Sequence, residues 1–274
     1  MTSQPPAITK KPDVPEGVWG RCESCGEMLY RREFEEAFRV CKICNHHHRL
    51  DARSRMRQLC DDGTFEEFLA DLVSTDPLNF KDRVPYTERL RETQEKTRET
   101  EAIIVGKAYI KGRGVILGVM NPDFIMASMG AVVGEKVAAA AERAVEDNLP
   151  LVMVTASGGA RMQEGMISLV QMAKTSAAIS KLHDASGLYI VVLTDPTTAG
   201  VAASFAMLGD VIIAEPKAMV GFAGPRVIAN TIKAELPEGF QTAEFLLQKG
   251  FIDRIVERRD LRSEVAKIID FCGK

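Results

Sequence analysis

Two groups of residues in this sequence could do chemistry. The first is a set of cysteines. Four of the six cysteines fall in one short segment, Cys22, Cys25, Cys41 and Cys44, spaced C-x2-C-x15-C-x2-C. Each pair puts two thiolates on one tight turn, and two such knuckles complete the tetrahedral sulfur shell that Zn²⁺ takes in structural sites. Gly26 follows Cys25 and Asn45 follows Cys44; both accept the left-handed backbone that a knuckle needs. The spacing predicts a zinc ribbon, with MLYRREFEEAFRV between the knuckles forming two short strands. His46, His47 and His48 come next. Four thiolates already close the shell, so these are read as an exposed tract. Cys60 and Cys272 stand alone and read as small buried or half-buried apolar side chains.

The second group is the stretch LVMVTASGGARMQEG at 151–165, an apolar run that ends in two adjacent glycines. Three familiar uses of such glycines do not fit. A Walker loop needs a Lys that is absent here. A hydrolase elbow needs G-x-S-x-G, and Thr155 stands where the first Gly belongs. No G-x-G-x-x-G follows a strand. A triad of Ser157, His183 and Asp195 is conceivable but weakly supported, since three of the four histidines sit beside the ribbon. What remains is backbone. Gly158 and Gly159 lie where a strand ends and a helix is expected to begin, so their N–H groups would lack intrahelical partners and share the positive end of the helix dipole. Ala199, Gly200 and Val201 repeat the pattern in TDPTTAGVAAS. Donors from two strand ends can converge on one carbonyl oxygen as an oxyanion hole for an enolate; two ordinary tight turns are the alternative.

The elements that would position these groups come from the rest of the chain. Its 274 residues are 46% hydrophobic and 27% charged, with a net charge of −3. That is a soluble globular composition, and no apolar run approaches a signal peptide or a membrane span. A cytosolic protein with no membrane association and no disulfides is expected. Residues 20–60 carry nine Lys/Arg against six Asp/Glu, which gives a nucleic-acid contact only weak support. From 51 to 71 the pattern suggests a helix, a DDG break and a second short helix, and 84–102 a solvated bridging helix with no chemistry of its own. From 102 onward the texture changes: a hairpin at 102–120, a short strand before an Ala-rich helix, then strands at 151–155 and 189–194 alternating with helices. Such alternation means an α/β fold with parallel crossovers, and strands apolar on both faces mean a sheet covered on both sides. GPRVIANTIKAELPEG and TAEFLLQKG read as further helices.

With these residues in view a resemblance is plain. The glycines followed by ARMQEG, then PTTAGVAASFAMLGDVIIAEPKAMVGFAGPRVI, resemble the carboxyltransferases of the crotonase superfamily. Together with the four-Cys ribbon, SMGAVVGEK (128–136) and LPEGFQTAEFLLQKG (236–250), the chain is similar to the β-subunit family of bacterial and plastid acetyl-CoA carboxylase carboxyltransferases, from about Trp19 to Asp253. The resemblance implies a crotonase (ClpP/crotonase-like ββα spiral) domain after a small zinc ribbon. It implies transfer of a carboxyl group from carboxybiotin, on biotin carboxyl carrier protein, to acetyl-CoA, giving malonyl-CoA for fatty acid biosynthesis. It implies an α2β2 assembly with a carboxyltransferase α subunit, and biotin carboxylase in the larger complex. Gly158 and Gly159 would hold the thioester oxygen, with Ala199 and Gly200 as a second donor region, and biotin itself would take the methyl proton. The implied organisation is a disordered tail at 1–17, a ribbon at 18–50, a helical linker at 51–101 and the carboxyltransferase domain at 102–274. The sequence departs from the family pattern at Ala199 (commonly Gly), Ala131 (usually Ser) and Asn230 (commonly Glu); the Ala199 methyl puts close ligand approach there in question. Arg161 reads as a helix-start Arg paired with Glu164 or Glu135 rather than as a ligand contact.

Two rival classes stand beside this reading: a nucleic-acid-binding ribbon protein with a non-catalytic crotonase domain, and a crotonase-type acyl-CoA hydratase or hydrolase. The ribbon generates the first prediction. Freshly purified protein should carry one Zn²⁺ per chain, and chelation should unfold residues 18–50 before the rest, because structural zinc contributes on the order of 10 kcal/mol to small modules. Metal analysis without zinc, or Cys22→Ala behaving as wild type, would exclude the site.

Overall fold

The computed structural model describes residues 17–224, 228, 231 and 237–274. The tail, Asn230 and most of the helix expected at 224–239 lie outside the described residues.

The ribbon opens with β1 (Trp19–Arg21) and β2 (Met28–Tyr30), paired antiparallel across the first knuckle. The segment between the knuckles gives only one strand. Its continuation is a helical turn, α1 (Arg31–Glu36), because RREFEE lacks the β-branched residues a strand favours and carries the i,i+4 pair Arg32–Glu36. Val40 forms an isolated antiparallel bridge with His47.

The linker starts with α2 (Ala52–Leu59), capped by the Asp51 carboxylate, which accepts from Ser54 N–H at 2.9 Å. The second short helix expected here is a strand, β3 (Glu66–Phe68). It pairs antiparallel with β4, and that tertiary pairing overrides the local preference. The bridging helix is α3 (Tyr86–Thr97), but it is not simply solvated: Tyr86 and Leu90 are buried in the main core.

The hairpin is β4 (Ile103–Ile110) and β5 (Arg113–Met120). The short strand expected next is a turn at Ile125–Ala127. Then come α4 (Ala131–Asp147), β6 (Leu151–Ser157), α5 (Met166–Asp184), β7 (Tyr189–Thr198), α6 (Ala199–Ala202), β8 (Val211–Ala214), β9 (Val220–Gly221), α7 (Ala243–Gln248), β10 (Arg254–Ile255) and α8 (Leu261–Phe271). The large sheet runs β10-β8-β7-β6-β5-β4-β3, with β9 on the far end of β7. Pairs from β5 to β10 are parallel, as helical crossovers require.

Both faces of the sheet are buried. Leu151, Met153, Val191 and Leu193 face α4 and α5 through Val133, Val137, Ile179 and Leu182. Their neighbours Val152, Val154, Ile190 and Val192 face α2 and α8 through Met56, Leu59, Leu261 and Val265. The period-2 alternation of strands thus divides one apolar run between two cores. Cys60 belongs to the second core, whereas Cys272 is exposed on the last turn of chain. Among the described residues no helix is long and apolar enough to cross a membrane.

A buried ionic cluster docks the ribbon. Glu215, just past β8, accepts from Arg55 of α2 at 2.6 Å and from Arg258 at 2.6 and 2.8 Å. All three side chains are at most 3% exposed. Arg258 also donates to the ribbon carbonyls of Phe38 (2.6 Å) and His48 (2.9 Å). Its own N–H donates to His47 Nε2 at 3.2 Å. His47 and His48 are therefore buried, not an exposed tract, because the ribbon folds His47 against Arg258 and packs His48 between Phe34 and His46. Burial alone would raise the Glu215 carboxyl, but the two guanidiniums outweigh it and hold it down to about 2.

Because its folded pKa lies below the ordinary 4.5, Glu215 contributes stability that is complete above that value and is lost as pH falls toward 2. Acid unfolding followed by circular dichroism should show a transition in this window that Glu215→Gln removes. At neutral pH the variant strands two buried cations and should lose about 3–5 kcal/mol in denaturant unfolding. An unchanged midpoint would show that the cluster does not hold the ribbon.

Candidate functional site

The four cysteines form one shell. Cys22 and Cys44 sulfurs stand 3.7 Å apart, Cys25 and Cys41 3.9 Å, and all four lie within 4.8 Å of one another. Zinc–sulfur bonds of about 2.3 Å in a tetrahedron require sulfur separations of about 3.8 Å, so the donors fit zinc. Burial raises the Cys44 thiol, but hydrogen bonds from His46 N–H and the other three cysteines hold it down to about 6, and the same sulfur contacts push Cys25 up to about 12.

The glycine pair sits at the end of β6. Register with β7 shifts between Thr155 and Ser157, and the chain leaves the sheet there. Gly158 is exposed and Gly159 buried. Gly159 has φ +113°, and a Cβ built on it would lie 2.6 Å from the Ala199 methyl. A Cβ on Gly200 would lie 3.4 Å from the Ala160 methyl and 3.6 Å from its nitrogen. The segments 158–160 and 199–200 are thus in direct contact, two strand ends away from each other in sequence.

The donors differ in how they are spent. Gly158 N–H donates to Met126 O at 2.8 Å, and Gly159 N–H to the Ser157 hydroxyl at 3.0 Å. The N–H of Ala160 has no acceptor among the described residues, and Gly200 lies in the first turn of α6, where a helix supplies its N–H groups no intrahelical partner. The helix expected from residue 160 starts at Met166, after a turn at Met162–Glu164 and Gly165 at φ +51°. The dipole of α5 is therefore not aimed through the glycines. Ala199 itself has φ +50°, a left-handed conformation that costs an L-residue about 1–2 kcal/mol and suits the Gly common in the family.

The floor of this site was not legible in the sequence. Ile125, Met126 and Ala127 all have positive φ (44°, 53° and 49°), a left-handed turn with no glycine to announce it. Its carbonyls receive Gly158 N–H and, at 2.6 Å, the Ser157 hydroxyl. Met126 lies alongside Gly158 and is 58% exposed. The conceivable triad is not assembled: Ser157 donates to Ala127 O, His183 stands 3.6 Å from Asp210, and Asp195 accepts from Met219 N–H at 3.1 Å.

Arg161 holds the loop from behind. It is fully buried. Its five N–H donors are shared among acceptors within hydrogen-bond reach: Glu101 (2.5 and 3.0 Å), Ser128 Oγ and O (3.1 and 2.8 Å), Tyr86 Oη (3.1 Å), Ser74 Oγ (3.0 Å) and Glu164 (3.3 Å). The pairing with Glu164 agrees with expectation; Glu135 pairs with Lys174 instead, and Glu101 is the principal partner. Glu164 in turn accepts from Tyr86 Oη at 2.7 Å and from Ala131 N–H, at the start of α4, at 2.6 Å. Burial would lower the Arg161 pKa, but the carboxylates outweigh it and raise it; burial pushes the Tyr86 phenol up. The linker therefore contributes Ser74, Tyr86 and Glu101 to the site's support, which its charge-rich sequence concealed.

The sheet, the paired strand ends and the four-Cys shell define the class, a crotonase-like carboxyltransferase domain carrying a zinc ribbon. Residues 47–258 match the carboxyl transferase domain model and residues 19–44 the acetyl-CoA carboxylase zinc finger domain model. The acetyl-coenzyme A carboxylase carboxyl transferase subunit beta of Rhodopirellula baltica is 54% identical over 98% of this chain and 86% of its own length. A Clostridium tetani protein with β and α subunits in one chain is 51% identical over 95% of this chain and 45% of its own. The transcarboxylase 12S structure with methylmalonyl-coenzyme A superimposes with a TM-score of 0.66 at 26% identity, over 81% of this chain and 42% of that one. The chain belongs to the family of acetyl-coenzyme A carboxylase carboxyl transferase β subunits, biotin-dependent carboxyltransferases.

Two substitutions test the support of the site. Arg161→Lys keeps the charge but has three donors in place of five, leaves buried acceptors unsatisfied, and should cost about 1–3 kcal/mol in denaturant unfolding. Ala199→Gly should stabilise the chain by about 1 kcal/mol, since it relieves the left-handed alanine, measured the same way. An Arg161→Lys protein of wild-type stability would remove Arg161 from this role.

Proposed function

We propose that this chain is the acyl-CoA-holding half of the enzyme, and that it transfers the carboxyl group of carboxybiotin, carried by biotin carboxyl carrier protein, to acetyl-CoA to give malonyl-CoA. The observation that carries the reading is the contact between segments 158–160 and 199–200, with Ala160 N–H lacking an acceptor among the described residues and Gly200 N–H in the first turn of α6. The thioester oxygen becomes an enolate oxygen when the methyl proton leaves, and fixed N–H donors bind that charge more tightly than the neutral carbonyl. Gly158 and Gly159 give the oxygen a surface without side chains, and Gly159 N–H exchanges its Ser157 hydroxyl for the ligand. Biotin, when bound, supplies the carboxyl group and the base, so the chain needs no side-chain base beside the glycines. The zinc is structural.

The chain divides its labour along the sequence, with the ribbon at 18–50, the linker at 51–101 and the carboxyltransferase domain at 102–274. An α subunit covers the outer face of α5 and the turn before it, where Met162 (66% exposed), Met166 (70%), Leu169 (48%) and Val170 (57%) form an apolar stripe. Such a stripe on a helix marks a partner surface.

Gly158→Val keeps its N–H but places a branched side chain where the thioester must approach. It should raise the KM for acetyl-CoA and lower kcat/KM by about 10²-fold, the cost of displacing the reacting group by about an ångström while every donor stays in place. His183→Ala should stay within about tenfold of wild type, having no part in proton transfer. Both are assayed in the complex with the α subunit. A His183→Ala protein that loses three orders of magnitude while Gly158→Val stays active would mean that a side-chain base does the work.

A further inference from the structure

We infer that His48 is a hydrogen-bond donor to the metal-bound Cys22 thiolate, a positioning residue that holds the zinc shell without belonging to it. The inference begins with geometry. His48 Nε2 lies 3.3 Å from Cys22 Sγ, inside the range of a hydrogen bond to sulfur. The four thiolates already complete the shell, so the ring has no coordination position to take. A zinc-bound thiolate has only lone pairs to offer. The contact therefore requires the proton on Nε2, which makes the imidazole the donor.

The ring is held in this pose from several sides. Phe34 meets it edge-on, with centroids 5.0 Å apart at 88°, and His46 packs at 4.6 Å and 78°. The His48 N–H donates to Arg39 O at 3.0 Å, and its carbonyl accepts from Arg258 at 2.9 Å. The last bond fastens the residue to the carboxyltransferase domain through the Glu215 cluster. Nδ1 faces the exposed Glu23 carboxylate at 3.8 Å, too far for a direct hydrogen bond.

Electrostatics gives the donor a purpose. A dication bound by four thiolates leaves two negative charges on the sulfurs. Cys25 is exposed and Cys44 partly so, and water reaches them. Cys22 is 2% exposed, so its share of the charge must be met by the protein. A fixed N–H at 3.3 Å does this. Outer donors of this kind orient ligands, and their loss typically weakens metal affinity about 10–100-fold.

The test uses the full chain with Co²⁺ or cadmium in place of zinc. His48→Phe keeps a ring and removes the donor; His48→Gln keeps a donor. In His48→Phe the sulfur-to-cobalt charge-transfer band should move to lower energy, since the thiolate becomes more electron-rich. Zinc should pass to a chromophoric chelator with affinity lowered about 10–100-fold, and iodoacetamide should alkylate Cys22 faster. His48→Gln should recover a large part of each change. A role in packing alone would leave the band where it is. An unshifted band with unchanged zinc affinity in a folded His48→Phe protein overturns the inference, as does a wild-type cobalt spectrum with a nitrogen ligand. Should His48→Phe fail to fold, the wild-type chain decides alone: with an NMR-active cadmium isotope and nitrogen-labelled histidine, a scalar coupling between cadmium and the His48 Nε2 proton supports the bond, and its absence overturns it.

Discussion

A guanidinium taken out of water without full pairing costs several kcal/mol, and Arg161 is buried with acceptors drawn from five stretches of chain around residues 74, 86, 101, 128 and 164. That requirement organises the site. If the linker did not pack where it does, Glu101, Tyr86 and Ser74 would be missing and the charge would be stranded. If the turn before α4 moved, Ser128 would be lost. Arg161 backbone N–H meets Met129 O, and Met129 N–H meets Gly159 O. The same residue that demands the pairing thus sets the position of the glycine loop.

A second buried ionic cluster does for the ribbon what Arg161 does for the loop. Glu215 balances one of two guanidiniums, and Arg258 spends its remaining donors on ribbon carbonyls. Such clusters add little net stability compared with apolar packing, but they tolerate few alternative arrangements. The ribbon's own hydrophobic cluster has Cys22, Leu29 and Cys41 as its buried members among the described residues, and metal and ionic docking replace the hydrophobic area that so small a module lacks.

The glycine loop shows the opposite economy, with almost no charged side chains of its own. Its parts are a left-handed turn at 125–127, a glycine at φ +113°, and an alanine at φ +50°. Backbone held in such conformations is costly and persists only where the surroundings over-determine it. Here the surroundings are the sheet, α4 and the Arg161 network. In the role proposed for this loop, a fixed N–H would cost no reorganisation as charge develops, so a rigid support would matter more than a reactive side chain.

Local chemistry was legible in the sequence wherever it depended on spacing. The four cysteines specify a tetrahedral sulfur site because thiolate geometry is set within a turn. The alternating apolar strands and the Gly158–Gly159 pair specify a covered parallel sheet with bare backbone at its edge, because strand periodicity and the absence of Cβ are properties of the residues themselves. Long-range pairing lay beyond it. EEF at 66–68 becomes a strand only because β4 offers it an edge. His47 and His48 look like a solvent-facing tract until the ribbon docks on Arg258. Glu101 lies 60 residues from Arg161, and nothing local marks it as the partner. The turn at 125–127 contains no glycine, so its conformation is imposed by what packs against it. The sequence by itself determined which groups could do chemistry; tertiary structure decided which of their N–H groups and charges are already spent, since hydrogen bonds and ion pairs between distant residues form only when the fold brings them together.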